Sequence, residues 1–395
     1  MASLKYWLWL SECKNLYNSS KLLLLDYFGS PENVYYAEEQ EYCLVEGLEI
    51  SQAKLLRDKS TETADRILGE CRRLGIQIIT MHDAIYPVRL RNIFDPPILL
   101  YVKGKLPVLD EEVTVAMVGA REATPYGISC AERLSYEMAK QGALIISGAA
   151  RGIDTASHRG ALRAGKETVA VLGCGIDVVY PPENRWLYRD IETRGALISE
   201  YAPGTAAIGG HFPVRNRIIS GLSLATVVVE AGAKSGALIT ANLALEQGRD
   251  IYAVPGPIDA PASTGCNRLI ADGAGLVTCG LDVLRDYLPQ YPHKLSAEEI
   301  SAPKKLGFIE QELEKRPLRE EKKEVLQLYK SGLTDDQIAL LKALSPGEKH
   351  VDDLIEETQI PTRRVLSALT VLQISGYVTQ ESGKHFLLNV ELSEE

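Results

Sequence analysis

At 395 residues the chain is long for one domain and suits two or three, and a 45% hydrophobic content is enough for a large core. A formal net charge of −10 argues against a protein that coats duplex nucleic acid broadly. No run of about 18 apolar residues occurs, which excludes a membrane-spanning helix on hydropathy.

The N-terminal stretch from Met1 to Lys14 has a short apolar patch but no signal-peptide core or cleavage site, and reads as a helix. Apolar residues recur at helical spacing through Leu22–Tyr27 and Ala53–Leu68. Gly29-Ser30-Pro31 is a helix stop followed by a cap and a first-turn proline. Leu44–Leu48, with Gly47, is either a phosphate-gripping helix-hairpin-helix turn or a plain tight turn. Residues 1–74 therefore form an expected helical domain. Gly75–Thr80 and Pro96–Val102 are expected strands, and they open a core spanning 75–289.

From Val113 the rhythm becomes strand, glycine-rich turn, helix. Expected strands are Val113–Val118, Ala143–Ser147, Thr168–Leu172, Ala196–Glu200, Thr226–Glu230 and a final one at Asp250–Val254. Expected helices are Tyr126–Gln141, Thr155–Ala164, Trp186–Arg194, a short Ile218–Leu222 and Ala237–Gln247. Near-continuous apolar strands alternating with helices indicate an α/β fold, a Rossmann-like parallel sheet covered on both faces. Residues 290–317 read as a linker with one helix near Gly307–Lys315. Residues 318–395 read as a winged helix, with helices at Asp335–Ala343, Val351–Thr358 and Thr362–Ser375 before a hairpin that turns at Ser382-Gly383-Lys384. Its would-be recognition helix has only Arg363 and Arg364 as cations, which favours protein contact over duplex contact.

The seven cysteines are scattered with no CxxC, which points to a reducing cytoplasm and away from zinc. No metal or other cofactor is expected. Within Val113–Pro289 there are 16 basic and 17 acidic residues, so the core is nearly neutral and has room for a local cationic cluster.

Ligands of such sheets bind at the carboxyl ends of the strands. Arg121, Ser147, Arg151 and Lys234 fall at or after those ends, and Phe212, Arg215 and Arg217 lie on the segment before Ile218. Three enzyme signatures fail. Gly173-Cys174-Gly175 lacks the third glycine of a dinucleotide fingerprint. Gly232-Ala233-Lys234-Ser235 departs from a P-loop at two positions, although the amides opening the next helix suit a phosphate. Ser147, Asp154 and His158 have hydrolase residue types, but Ser147 is not in a GxSxG elbow, and an Asp154–His158 contact four residues apart reads better as a helix cap. The positive pattern is Arg121, Arg151, Arg215, Arg217 and Lys234 around Phe212. Guanidinium forks match phosphate oxygens, and a loop aromatic stacks on any base. Single-stranded nucleic acid and a nucleotide remain even alternatives on this chemistry. Arg217 also has core partners available in Glu200 and Glu230.

Several motifs together resemble the DNA-processing protein DprA (Smf) family. They are Gly119-Ala120-Arg121, Ser147-Gly148 with Ala150-Arg151-Gly152-Ile153-Asp154, Gly173-Cys174-Gly175 with Tyr180-Pro181, and Ser199-Glu200-Tyr201. Phe212-Pro213 with Arg215-Asn216-Arg217, Glu230-Ala231 with Ser235-Gly236, Val254-Pro255-Gly256 and Gly265-Cys266-Asn267 complete the set, and the resemblance runs from about Asp83 to Ala274. It implies an extended Rossmann-like core that binds single-stranded DNA without catalysis. It also implies homodimers, and delivery of a RecA-type recombinase onto incoming strands in natural transformation. Carried over, Arg121, Ser147, Gly148, Arg151, Phe212, Arg215, Asn216, Lys234, Ser235 and Gly236 would line the DNA pocket, with Arg217 beside them. Ala149 stands where the family usually has leucine, and the Thr205–Gly210 loop is unusually small and glycine-rich. The rival expectation is a Rossmann-like nucleotide or nucleotide-sugar hydrolase. Such enzymes carry PGGxGTxxE near the phosphate, which Glu230–Gly236 lacks.

Overall fold

The computed structural model describes residues 2–296, 325–327, 333–345, 347, 349–381 and 385–393. The chain divides into two compact units, Met1–Leu306 and Gly307–Glu395.

The first unit begins with helices α1 (Ala2–Glu12), α2 (Asn18–Phe28), α3 (Pro31–Tyr36), α4 (Glu39–Tyr42), α5 (Ile50–Ala53) and α6 (Glu62–Leu74). Ser30 caps α3 by accepting from the Asn33 amide, with Pro31 in the first turn, as its spacing predicts. The helix expected over 53–68 is instead broken between Arg57 and Glu62. Lys59 at the break points into an aromatic cluster, its ammonium 4.9 Å from the Trp9 ring centroid and 5.2 Å from that of Tyr42. Leu44–Leu48 is a turn in which Gly47 takes a positive φ of 83°.

The sheet has nine strands in the order β1-β2-β6-β5-β4-β3-β7-β8-β9. They are β1 (Gln77–Thr80), β2 (Leu99–Gly104), β3 (Thr114–Val118), β4 (Leu144–Ser147), β5 (Thr168–Leu172), β6 (Ala196–Ser199), β7 (Ala225–Val228), β8 (Asp250–Ala253) and β9 (Gly275–Leu276). Strands β3 to β9 are mutually parallel, while β2 pairs antiparallel with both β6 and β1, so the sheet is mixed rather than purely parallel. Asp250–Ala253 is not the last strand. The two-residue β9 that follows it is too short to leave a periodic signal.

A short α7 (Val88–Arg91) lies between β1 and β2, and the crossover helices are α8 (Pro125–Lys140), α9 (Ile153–Arg163), α10 (Arg185–Arg194), α11 (His211–Gly221) and α12 (Gly236–Glu246). Side-chain alternation sorts the two faces. Val115 and Met117 of β3 pack with Leu134 and Ile153 on one side, and Ala116 and Val118 with Ile218 and Ala241 on the other. The N-terminal helices share a third core with Leu99, Tyr101, Leu172 and Leu197, which seats them directly on the sheet.

Helix α11 starts at His211, seven residues before the short helix expected at Ile218. Pro213 falls in its first turn, where a missing N–H costs nothing, so the proline does not mark a boundary. At the other end of the unit, Leu295 is buried and the Ser296 amide donates to the Gln141 carbonyl at 2.8 Å, so 290–296 lie along the core. The expected linker beyond 296, its helix near 307–315 and the Ser382–Lys384 turn lie outside the described residues.

The second unit carries helices Asp335–Leu344, Val351–Thr358 and Thr362–Ile374 and a three-stranded sheet, with Val378–Glu381 antiparallel to His385–Leu388 and Lys349–His350 on that strand's other edge. This is a winged helix. Its core joins Leu340, Leu354, Leu369 and Phe386. Arg364, one of the two cations on the third helix, forks onto Asp336 with both bonds at 2.7 Å.

Candidate nucleic-acid interface

The chain runs β3, β4, β5, β6 outward on one side of β3, then returns through α11 to β7 on the other side. That reversal opens a crevice at the carboxyl ends of β3 and β7, the position such folds reserve for ligands. A cleft of about 360 Å³ lies there. Its walls include Arg121 after β3, Asp154 at the start of α9, Phe212, Arg215 and Asn216 on α11, and Ser235-Gly236 at the start of α12.

Helical geometry explains the α11 wall. Phe212, Arg215, Asn216 and Ile219 are spaced i, i+3, i+4 and i+7, which places them on one face. Phe212 is therefore a helix residue, only 9% exposed, and not a loop aromatic. Its ring lies beside Tyr180, with centroids 5.2 Å apart. A Cβ on Gly173 would sit 2.8 Å from the Phe212 ring, so the glycine after β5 is what lets the ring pack there. The Arg121 guanidinium lies over the same ring, 5.1 Å from its centroid, and Arg121 is exposed.

Arg215 is 3% exposed, and its guanidinium donates to the carbonyls of Gly148 (3.0 Å) and Val171. Burial draws its pKa below the ordinary value, offset by Asp154. Burial likewise pushes the Asp154 carboxyl up, against the pull of Arg215. Gly148 makes this packing possible: a Cβ there would stand 2.5 Å from an Arg215 nitrogen and 2.6 Å from an Asp154 oxygen. Ser235 caps α12, its Oγ accepting from the Ala237 amide at 3.3 Å.

Five expected site residues fall outside the cleft lining, Gly148 among them, since it lies against the Arg215 guanidinium. Ser147 is fully buried and its hydroxyl donates to the Met117 carbonyl at 2.6 Å. Arg151 is exposed and paired with Glu183. Lys234 is exposed on the loop before α12, next in sequence to Ser235 of the lining. Arg217 points to the opposite side of α11, where it forks onto Glu200 at 2.8 and 2.7 Å and donates to the Asp95 carboxylate at 2.9 Å. These pairings raise its pKa, outweighing the burial that lowers it, and no guanidinium edge is left for phosphate. Glu230, the other candidate partner, instead accepts from the Thr124 amide at 2.9 Å.

The Ser-Asp-His set does not assemble. Thr168 donates its hydroxyl hydrogen to the Ile145 carbonyl (2.7 Å), so its oxygen accepts from His158 Nδ1 at 2.8 Å. Burial lowers the His158 pKa to about 3, which keeps the ring neutral. It is a core histidine.

Residues 77–288, more than half of the chain, match the family model described as "DNA recombination-mediator protein A". The chain belongs to that family. Residues 329–384 match the family's winged-helix domain. The DNA processing protein DprA of Streptococcus pneumoniae is 44% identical over 205 residues, covering 52% of this chain and 72% of that protein. Protein Smf of Synechocystis sp. is 31% identical over 396 residues, covering 96% and 98% respectively. The solved structure of the pneumococcal DprA covers 71% of this chain and 97% of its own at 36% identity, with a TM-score of 0.64. A DprA structure from Helicobacter pylori, described for its single-stranded DNA binding mode, covers 54% of this chain and 97% of its own at 31% identity and a TM-score of 0.49.

Proposed function

We propose that this family member binds single-stranded DNA without reading its sequence, protects incoming strands, and hands them to a RecA-type recombinase during natural transformation. It does so without catalysis, as a homodimer in the cytoplasm. The observation that carries the DNA reading is the exposed Arg121 guanidinium lying over the Phe212 ring at the mouth of the crevice. A planar cation backed by an aromatic ring offers phosphate contact and a stacking surface in one place, and neither depends on base identity. Arg215 and the amides at the start of α12 add positive potential from below. The recombinase partner, the homodimer and the role in transformation rest on the family resemblance alone.

The test is fluorescence anisotropy of labelled oligothymidine, titrated with salt and competed with unlabelled duplex and ATP. Saturable, salt-sensitive binding that duplex and ATP displace poorly is expected. Displacement by micromolar ATP would instead favour the nucleotide hydrolase, whose phosphate would sit at the start of α12.

A further inference from the structure

The opposite face of α11 is built as a strut. His211, Val214 and Arg217 face a second cleft of about 410 Å³, whose other walls are α1, α2, the loop before β2 and the segment after β6. Arg217 ties α11 to two other segments. Its Nε donates to both the carboxylate (2.9 Å) and the carbonyl (2.8 Å) of Asp95, and its other nitrogens fork onto Glu200. Asp95 is held in turn by Asn18, the first residue of α2, whose amide donates to the Asp95 carboxylate at 2.6 Å and to the Pro96 carbonyl at 2.8 Å. Lys21, one turn further along α2, donates to the Ser11 carbonyl at 2.5 Å and lies close enough to feel the charges of Glu200 and Asp95.

From this geometry we infer that Asn18, Asp95 and Glu200 are positioning residues for DNA binding, acting through Arg217 to fix the rotation and height of α11. The N-terminal helices thereby set the posture of Phe212 and Arg215 from behind. A helix cannot rotate one face without rotating the other, so loosening Arg217 moves the ring on which Arg121 rests. The inference rests on the single-strand reading above, and it assigns Arg217 to posture and not to phosphate.

The experiment measures oligothymidine affinity and its salt slope in the full chain, with circular dichroism and urea unfolding to verify the folded fraction. Variants are Asn18→Ala, Asp95→Asn and Arg217→Lys, with Arg121→Ala as the contact control and Lys5→Ala, from an exposed pair with Asp65 in the same helical layer, as the structural control. Positioning predicts a severalfold weaker Kd in the first three, with the folded fraction retained and the salt slope within error of the parent. Arg121→Ala flattens the slope by about 0.7, and Lys5→Ala leaves Kd unchanged. Affinity in Asn18→Ala and Asp95→Asn equal to the parent would overturn the inference while leaving the DNA reading intact. A flattened slope in Arg217→Lys would make Arg217 a contact and overturn it as well. A parent chain that binds no oligothymidine would overturn both.

Discussion

The loops at the strand ends and helix α11, which together form the loop wall and the helix wall, handle their cations in opposite ways. Arg121 and Lys234, on loops at strand ends, are exposed. Arg215 and Arg217, two residues apart on α11, are buried, one held by two carbonyls and the other by two carboxylates. A solvated guanidinium exchanges water for phosphate at little cost, whereas a buried one must first break bonds that no phosphate replaces. On the proposed single-strand reading, contact therefore belongs to the loop wall, and shape and field to the helix wall.

The largest expected effects lie on the buried side. His158 has its folded pKa lowered from 6.5 to about 3, so its contribution to stability is full above pH 6.5 and is lost as pH falls through the window down to 3. The expected loss is about 1.4 kcal/mol per pH unit from this group. Urea unfolding at stepped pH should show it, and His158→Gln should flatten the acid limb. An equally steep limb in the variant would place the proton elsewhere. Arg217→Ala comes next. Leaving Glu200 and Asp95 without their cation should cost on the order of 3 kcal/mol, read as a lower urea midpoint. Gly148→Ala should follow at about 1–3 kcal/mol, because its methyl group displaces Arg215 or Asp154, and it should also weaken oligothymidine binding.

The loop wall should respond in binding alone. Arg121→Ala is expected to leave stability within about 0.5 kcal/mol while weakening the single-strand Kd roughly tenfold, from about 1.5 kcal/mol of charge-assisted contact. If it lowered the urea midpoint as much as is expected of Arg217→Ala, the contrast between the walls would collapse. The smallest effect is expected in the winged helix, where Arg364→Ala breaks an exposed pair with Asp336. Less than about 1 kcal/mol should be lost.

Much of the scaffold was legible in the sequence. Thr168–Leu172 reads as a buried strand because five apolar or β-branched residues run between turn signals, and it forms with those bounds. The α11 boundary was not legible. Pro213 and the polar run Arg215-Asn216-Arg217 look like loop until Ile218 and Ile219 are seen packed under the sheet. The antiparallel seating of β2 against β6 was also hidden, since strand direction leaves no local mark.

Within the candidate site, the sequence by itself determined which residue types gather at the strand ends: Arg121, Phe212, Arg215 and the Ser235-Gly236 turn line one cleft as their spacing and the family motifs suggest. Local periodicity and turn chemistry fix those placements over a few residues. Which of the arginines face outward was decided only in three dimensions. Arg217 is neutralised by an aspartate 122 residues away and a glutamate 17 away, and Ser147 is tied to a carbonyl 30 residues back. A charge is free or spent according to what folding brings beside it, and that pairing between distant segments is a property of the packed chain and not of any stretch of it.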